Sequence, residues 1–327
     1  MSSKSSLNGA SAWLLSDGRA GHDVPCIGLA ETLGLDLERR LIAPRALFAV
    51  LAPHGPPDPR DPALAPPYPD IAFAAGRRAV PYLRALRARA PATFTVYLKN
   101  PRIAPQKAAD FVWAPEHDGL AGDKVFSTLA APHRLSPQRL AAARAAPDAR
   151  IAALPGRRLA LLVGGPSNSH RFTQDDAQAL CAIVQAAAAQ GASVMATPSR
   201  RTPAFVLAAL RAVVTPLGAR GFLWDGQGDN PYASMIANAD WIVVTADSTN
   251  MVGEALATSA PVYFYEPAGG HRRVSAYLAA LRERASLRRW AGALEDWPRA
   301  PFDDTPAIAA ALAARYDSWR KNLTQSR

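Results

Sequence analysis

Trp241 to Glu254, WIVVTADSTNMVGE, decides how the rest of the chain is read. Ile242, Val243 and Val244 form an apolar, β-branched run too short for a helix of its own, which predicts a buried parallel strand. Thr245 to Asn250 place small polar residues where a strand gives way to a helix. Ser248 or Thr249 is suited to cap a helix running on through Ala255 to Ala257. Unpaired backbone N–H groups and the positive end of the helix macrodipole meet at such a junction, a combination that favours phosphate oxygens. Glu254 follows in the first turns, where a carboxylate is placed to accept hydrogen bonds from the hydroxyls of a ribose. The same residues would also serve an ordinary βα turn in which Asp247 and Ser248 only cap a helix, so the neighbouring strand ends have to decide.

Two of them in the same half have the same character. Arg158 to Val163 reads as a strand that ends in GGPSNSHRFT, Gly164 to Thr173, where Gly165, Ser167 and Asn168 offer backbone and side-chain donors before a helix from Gln174. Ala192 to Ala196 reads as a strand ending in TPSRRTP, with Ser199, Arg200 and Arg201 ahead of a helix near Pro203. Paired arginines suit a diphosphate because the guanidinium fork is bidentate. Three strand ends, each weak alone, together describe a nucleotide-diphosphate site at the carboxyl edge of a parallel sheet.

The first half alternates strand and helix in the same way, which predicts a doubly wound sheet there too. Ala12 to Leu15 is a strand running into SDGRAGHD, Ser16 to Asp23, with a helix expected from near Val24 or Pro25. Gly18 and Gly21 let the backbone turn tightly, and Arg19 and His22 stand at the carboxyl end of a first strand, where open α/β sheets place their chemistry. GRAG is an incomplete dinucleotide fingerprint, and a structural turn explains it equally. Arg77 and Arg78 open a helix where the dipole disfavours cations. Arg102 follows a strand over Thr93 to Leu98, and Glu116, His117 and Asp118 stand at another strand tip. Ala52 to Asp70 is dense in proline and reads as an extended surface connector. The periodicity lapses near Ala146 to Gly156, which puts a domain boundary at 150/151. The expected organisation is 1–150, then 151–305, then a final helix within 306–327 crossing back to the first domain.

Composition narrows the class. The chain has 327 residues, 49% hydrophobic and 20% charged, enough to bury two cores. No apolar run reaches the roughly 18 residues of a membrane span. The N-terminus lacks a signal-peptide core, so a cytoplasmic protein with a short frayed tail is expected. Cys26 and Cys181 show no metal or redox spacing and read as free thiols. A net charge of +10 favours acidic partners, either phosphorylated substrates or an anionic membrane surface such as the inner membrane. Nucleic acid is not favoured, since no basic stripe interleaved with aromatics is present. His271 to Trp290 holds six arginines and one acidic residue, Glu283, on an apolar helical spacing that fits either lipid or the domain itself.

Two facing doubly wound Rossmann-like domains, donor in one and acceptor in the other, with no DxD-type metal pair, describe a GT-B-like α/β architecture. At this point the sequence resembles a family. DGRAGH at Asp17 to His22, AGRRAVP at Ala75 to Pro81, NPR at Asn100 to Arg102, GGPS at Gly164 to Ser167, SRRTP at Ser199 to Pro203, TADSTNMVGEA at Thr245 to Ala255 and FDDT at Phe302 to Thr305 are similar, in order, to the mitochondrial fission ELM1-like family. One departure is local, Asp23-Val24-Pro25 standing where members carry a polar ENQ-like segment. The resemblance implies a GT-B-like glycosyltransferase for a bacterial member, and for plant members an outer-mitochondrial-membrane fission factor that recruits a dynamin-related protein.

On the transferase reading a nucleotide-diphosphate sugar is the co-substrate, with neither cofactor nor metal, and a glycan or lipid-linked envelope acceptor receives the sugar. Gly165, Ser167 and Asn168 lie near the phosphates, with Ser199, Arg200 or Arg201 stabilising the departing diphosphate. Asp247, Ser248 and Thr249 supply the helix start, and Glu254 binds the ribose. His22 or Asp17 deprotonates the acceptor, with Arg19, Gly21, Arg77 and Arg102 on the acceptor side. The contrasting expectation is a non-catalytic membrane-surface scaffold on the same fold. Sugar-nucleotide epimerisation is a third.

Overall fold

A computed structural model describes residues 7–325. The tail expected at the N-terminus lies, up to residue 6, outside the described residues. The chain divides into two compact units, one running up to Arg134 and resuming at Asp304, the other Leu135–Asp303.

In the first unit β1 (Ser11–Ser16) is followed by α1 (Ala20–Leu33), β2 (Asp36–Leu41), α2 (Ala46–Leu51), β3 (Ile71–Ala75), α3 (Val80–Arg89), β4 (Phe94–Leu98), α4 (Pro105–Ala108), β5 (Phe111–Pro115) and β6 (Val125–Thr128). Among the described residues these strands form a six-stranded parallel sheet in the order β2-β1-β3-β4-β5-β6. The alternation along β1 explains its burial on both faces. Ala12 and Leu14 join Leu29, Phe73 and Val96 on one side, while Trp13 and Leu15 join Val80, Leu83 and Tyr97 on the other.

The second unit runs α5 (Pro137–Ala145), α6 (Ala149–Ala152), β7 (Arg158–Val163), α7 (Gln174–Ala189), β8 (Ser193–Pro198), α8 (Ala204–Val214), β9 (Gly221–Leu223), α9 (Tyr232–Ala237), β10 (Trp241–Thr245), α10 (Thr249–Leu256), β11 (Val262–Tyr265), α11 (Arg272–Arg284) and β12 (Arg288–Arg289). Its parallel sheet has the order β12-β11-β10-β7-β8-β9. Leu159, Leu161 and Val163 pack with Leu180, Val184 and Val206 on one face, and their alternates Ala160 and Leu162 are buried on the other. The fold class is the expected one, α/β with two doubly wound Rossmann-like sheets of GT-B-like kind.

The division falls at 134/135 rather than 150/151. The alanine-rich α5 belongs to the second unit, because Arg144 Nε donates to the Ala237 carbonyl at 2.8 Å and the Asp148 N–H donates to Ser234 Oγ at 2.9 Å. The last helix, α12 (Thr305–Gln325), belongs to the first unit. Asp304 Oδ2 accepts from the Ala130 N–H at 2.8 Å and Thr305 Oγ1 from the His133 N–H at 3.2 Å, while Tyr316 and Trp319 pack their rings 5.5 and 5.2 Å from that of Phe94. The FDDT motif therefore anchors a helix start. No helix among the described residues is long and apolar enough to cross a membrane.

Candidate functional site

At the carboxyl edge of the first sheet, α1 starts at Ala20, earlier than expected, and carries Pro25 inside it. Proline has no N–H to give to the carbonyl four residues back, that of Gly21. Lys99 Nζ donates to that carbonyl at 3.1 Å. Lys99 and Arg102 hold φ at +84° and +61° at the end of β4, a left-handed backbone that non-glycine residues rarely adopt. Burial holds the Lys99 ammonium below its ordinary value, against the pull of Cys26, Asp118 and Asp17.

The early start of α1 puts His22 and Asp23 on its first turn, and their side chains do different work. Asp23 is buried, accepting from Ser16 Oγ at 2.7 Å and from Arg39 Nη2 at 2.7 Å. The family departure at this position is thus an internal ion pair. His22 Nδ1 lies 2.9 and 3.1 Å from the two oxygens of Asp17. Burial raises the Asp17 carboxyl, but the hydrogen bond and charge of His22 and the Arg19 N–H outweigh it, and it sits below the usual carboxylate range. An ionised carboxylate only accepts, so Nδ1 is the nitrogen that donates to it. A Cβ on Gly76, whose φ is +85°, would lie 2.5 Å from Nδ1 and 2.6 Å from Cε1 of His22, so only glycine fits there. Arg19 is exposed, 3.9 Å from Asp17. Arg102 is exposed, its N–H donating to Asn100 Oδ1 at 2.8 Å. Arg77 is placed otherwise than expected. α3 begins only at Val80, and Arg77 Nη1 donates to the Ala52 carbonyl at 2.7 Å, just past α2.

In the second unit the three strand ends meet. Asp247 Oδ2 accepts from the Gly165 N–H at 2.9 Å and from Arg201 Nη2 at 3.0 Å, and Asp247 Oδ1 accepts from Thr245 Oγ1 at 2.7 Å. Arg201 Nη1 also donates to the carbonyls of Gly165 at 2.8 Å and Pro166 at 2.6 Å. The Gly164 N–H donates to Thr245 Oγ1 at 2.7 Å. A Cβ on Gly164 would overlap the Asp247 carboxylate, and one on Gly165 the Arg201 backbone. The two glycines are therefore there for close approach, and their N–H groups bind Thr245 and Asp247 at the end of β10 rather than standing open as the expected donors. Burial raises the fully enclosed Asp247 carboxyl above its ordinary value, against these hydrogen bonds.

The other residues divide the same way. Ser167 Oγ closes its own turn, accepting from the N–H groups of Ser169 at 3.2 Å and His170 at 3.1 Å. The Ser199 N–H donates to Thr202 Oγ1 at 2.8 Å. Asn168 and Arg200 are exposed and have no side-chain partner among the described residues. Ser248, not Thr249, caps α10, accepting from the Met251 N–H at 3.4 Å. At the far end Arg299 donates to the Leu256 carbonyl at 3.1 Å and to the Thr258 carbonyl, so α10 is held at both termini. Glu254 is buried and accepts from Tyr232 Oη at 2.7 Å. Burial pushes its carboxyl up to about 7, against that hydrogen bond.

Sequence reasoning passed over Lys99, Gly76, Tyr232 and His170. The signal for Lys99 was available in the proline inside α1. His170 is buried, neither ring nitrogen having a hydrogen-bond partner among the described residues, in a loop bridged antiparallel to Gly269, and nothing in the sequence marks it.

A sequence model of the family described as "Mitochondrial fission ELM1" matches residues 20–316. The "Mitochondrial fission protein ELM1" of Arabidopsis thaliana is 32% identical over 195 residues, which are 58% of this chain and 45% of that protein. "Uncharacterized protein RP120" of Rickettsia prowazekii (strain Madrid E) is 27% identical over 159 residues, 46% of this chain and 44% of that protein. The matched stretches span less than half the length of these relatives. Among solved structures, the S. aureus MnaA–UDP co-structure matches at a TM-score of 0.50 and 11% identity, covering 84% of this chain and 87% of that one. That likeness is one of fold.

Proposed function

The chain belongs to the mitochondrial fission ELM1 family, and from that premise we propose that it is a metal-independent glycosyltransferase moving a sugar from a nucleotide-diphosphate sugar to a glycan or lipid-linked acceptor of the envelope. The observation that carries this reading is the convergence of three loops on Asp247 beside the Ser248-capped start of α10. Asp247 and Arg201 build the cradle, and Arg200, Asn168 and the first N–H groups of α10 are left to meet the diphosphate. Glu254 receives the ribose. On the first unit, His22 Nε2 takes the proton of the acceptor hydroxyl as its oxygen attacks the anomeric carbon, while the bond to the diphosphate breaks. Asp17 keeps the imidazole in the right tautomer, the role of the carboxylate in a catalytic triad.

The name of the Arabidopsis relative favours a second reading, a membrane-surface scaffold that needs no donor. Calorimetric or thermal-shift titration with nucleoside diphosphates and sugar nucleotides, UDP among them, separates the two. Stabilisation by one nucleotide, lost in Arg200→Ala and in Glu254→Ala, is the expected result. A folded protein that binds none of them is the scaffold.

A further inference from the structure

α2, with the sequence ALFAVL, turns its apolar side outward. Leu47 and Val50 are 65% and 72% exposed, Leu51 is open as well, and Ala49 alone is buried in this helix. Just upstream, Leu41 ends the edge strand β2 and is also exposed, its Cδ1 lying 3.8 Å from where a Cβ on Gly18 would stand. Leu41 therefore borders the Asp17–Arg19 turn that holds His22.

Its rim is basic. Arg77 donates to the carbonyls of Val50 and Ala52 at the end of α2, and Arg84 Nη1 to the carbonyls of Pro53 at 3.5 Å and His54 at 3.1 Å. Arg77, Arg84 and the exposed Arg78 have no acidic partner among the described residues, so their charge is uncompensated. Arg45, paired with Asp58, lies 5.1 Å over the Phe48 ring.

We propose that α2 and this arginine rim are the surface by which the protein lies on an anionic phospholipid bilayer, with the His22 turn at headgroup level. An exposed apolar helix among cations is the pattern of an interfacial anchor, the side chains entering the acyl boundary and the guanidinium groups meeting lipid phosphates. A second copy fits the same face poorly, because a two-fold contact would bring two uncompensated arginine rims together. α11, the basic helix that the sequence offered for this role, buries Tyr277, Leu278 and Leu281 in its own unit and offers charge without an apolar face. In its use of the surface this deepens, and rests on, the transferase reading, since a lipid-linked acceptor would then meet His22 where it is anchored.

Co-sedimentation with vesicles of phosphatidylcholine alone, and of phosphatidylcholine with phosphatidylglycerol, tests it. The wild-type chain should bind the mixed vesicles and scarcely the neutral ones. Leu47→Asp with Val50→Asp, both at exposed positions, should weaken partitioning by about tenfold or more. Arg78→Glu should weaken it several-fold, most at low salt, and Arg282→Ala with Arg284→Ala in α11 should leave it unchanged. Equal binding by the aspartate variant, loss in the α11 variant, or no vesicle binding by the wild type overturns the proposal. So does self-association in ultracentrifugation that the aspartate variant abolishes, which would assign the face to a second copy. Nucleotide titration of the same variants keeps the two readings apart. Vesicle binding without nucleotide binding leaves the anchor standing while the transferase fails, and the reverse outcome does the opposite.

Discussion

The carboxyl edges of the two sheets handle their polar residues in opposite ways. At the first, Asp17 engages one nitrogen of His22, and the other has no hydrogen-bond partner among the described residues. At the second, Asp247 binds Arg201 and Thr245, while Ser167 and Ser199 close their own turns. Arg200 and Asn168 stand exposed outside these bonds, and Glu254 is buried against Tyr232. One edge leaves a histidine nitrogen open, and the other ties its polar side chains into hydrogen bonds. The sharpest break of that contrast is His22→Ala, which should lower transfer by about 10²–10⁴-fold, the range of a positioned general base. It should leave nucleotide affinity unchanged. A comparable loss of nucleotide binding would show that the two edges do not divide the work.

Glu254 tests the binding edge by pH. Its carboxyl is pushed up to about 7 from the ordinary 4.5, so between those values the folded state holds a proton that the unfolded chain has lost. Stability then falls as pH rises across that window and is flat above it, by about 3 kcal/mol in all. Glu254→Gln should remove this slope and be the more stable protein above neutrality, as read from chemical denaturation at pH 5 and pH 8. Ribose hydroxyls donate to the ionised form, so nucleotide binding near pH 7 should release a proton. Calorimetry in buffers of different ionisation enthalpy measures it, and an unchanged enthalpy would remove Glu254 from the ribose contact.

Much of this was legible in the sequence, because apolar runs of strand length followed by glycine and small polar residues leave little choice but βα junctions. Which polar groups remain available was not legible. Arg200 and Arg201 are adjacent and chemically identical, yet Arg201 is tied to Asp247 and the carbonyls of Gly165 and Pro166 while Arg200 has no side-chain partner among the described residues. The start of α1 was misplaced because a proline was read as a beginning, whereas Lys99, just past β4, supplies the donor that the proline lacks. The unit boundary was misplaced because alanines in α5 give no sign of which core they join. The outward face of α2 was not read either, since a short apolar helix looks the same in sequence whether its neighbours cover it or not.

Gly165→Ala sharpens the binding edge. The added methyl meets the backbone of Arg201 rather than a side chain that could swing away. The loop must shift, with about 1–3 kcal/mol lost from stability and nucleotide affinity reduced. Normal affinity in this variant would mean that the three-loop junction does not form the site.

The smallest effect belongs to Lys99, and it asks how rigid the reactive edge has to be. Lys99 hydrogen-bonds to neither Asp17 nor His22 among the described residues, so it is a positioning residue acting through the Gly21 carbonyl on the turn that carries His22. Lys99→Met removes both the hydrogen bond to the Gly21 carbonyl and the cost of burying the ammonium, two effects that offset each other in stability. If that bond sets the place of His22, kcat should fall about tenfold with KM and melting temperature nearly unchanged. A purely structural lysine would instead lower the melting temperature and leave kcat alone. A fall in kcat with Tm preserved would show that an unusual backbone at the end of β4 is maintained for the geometry of a histidine on a different element.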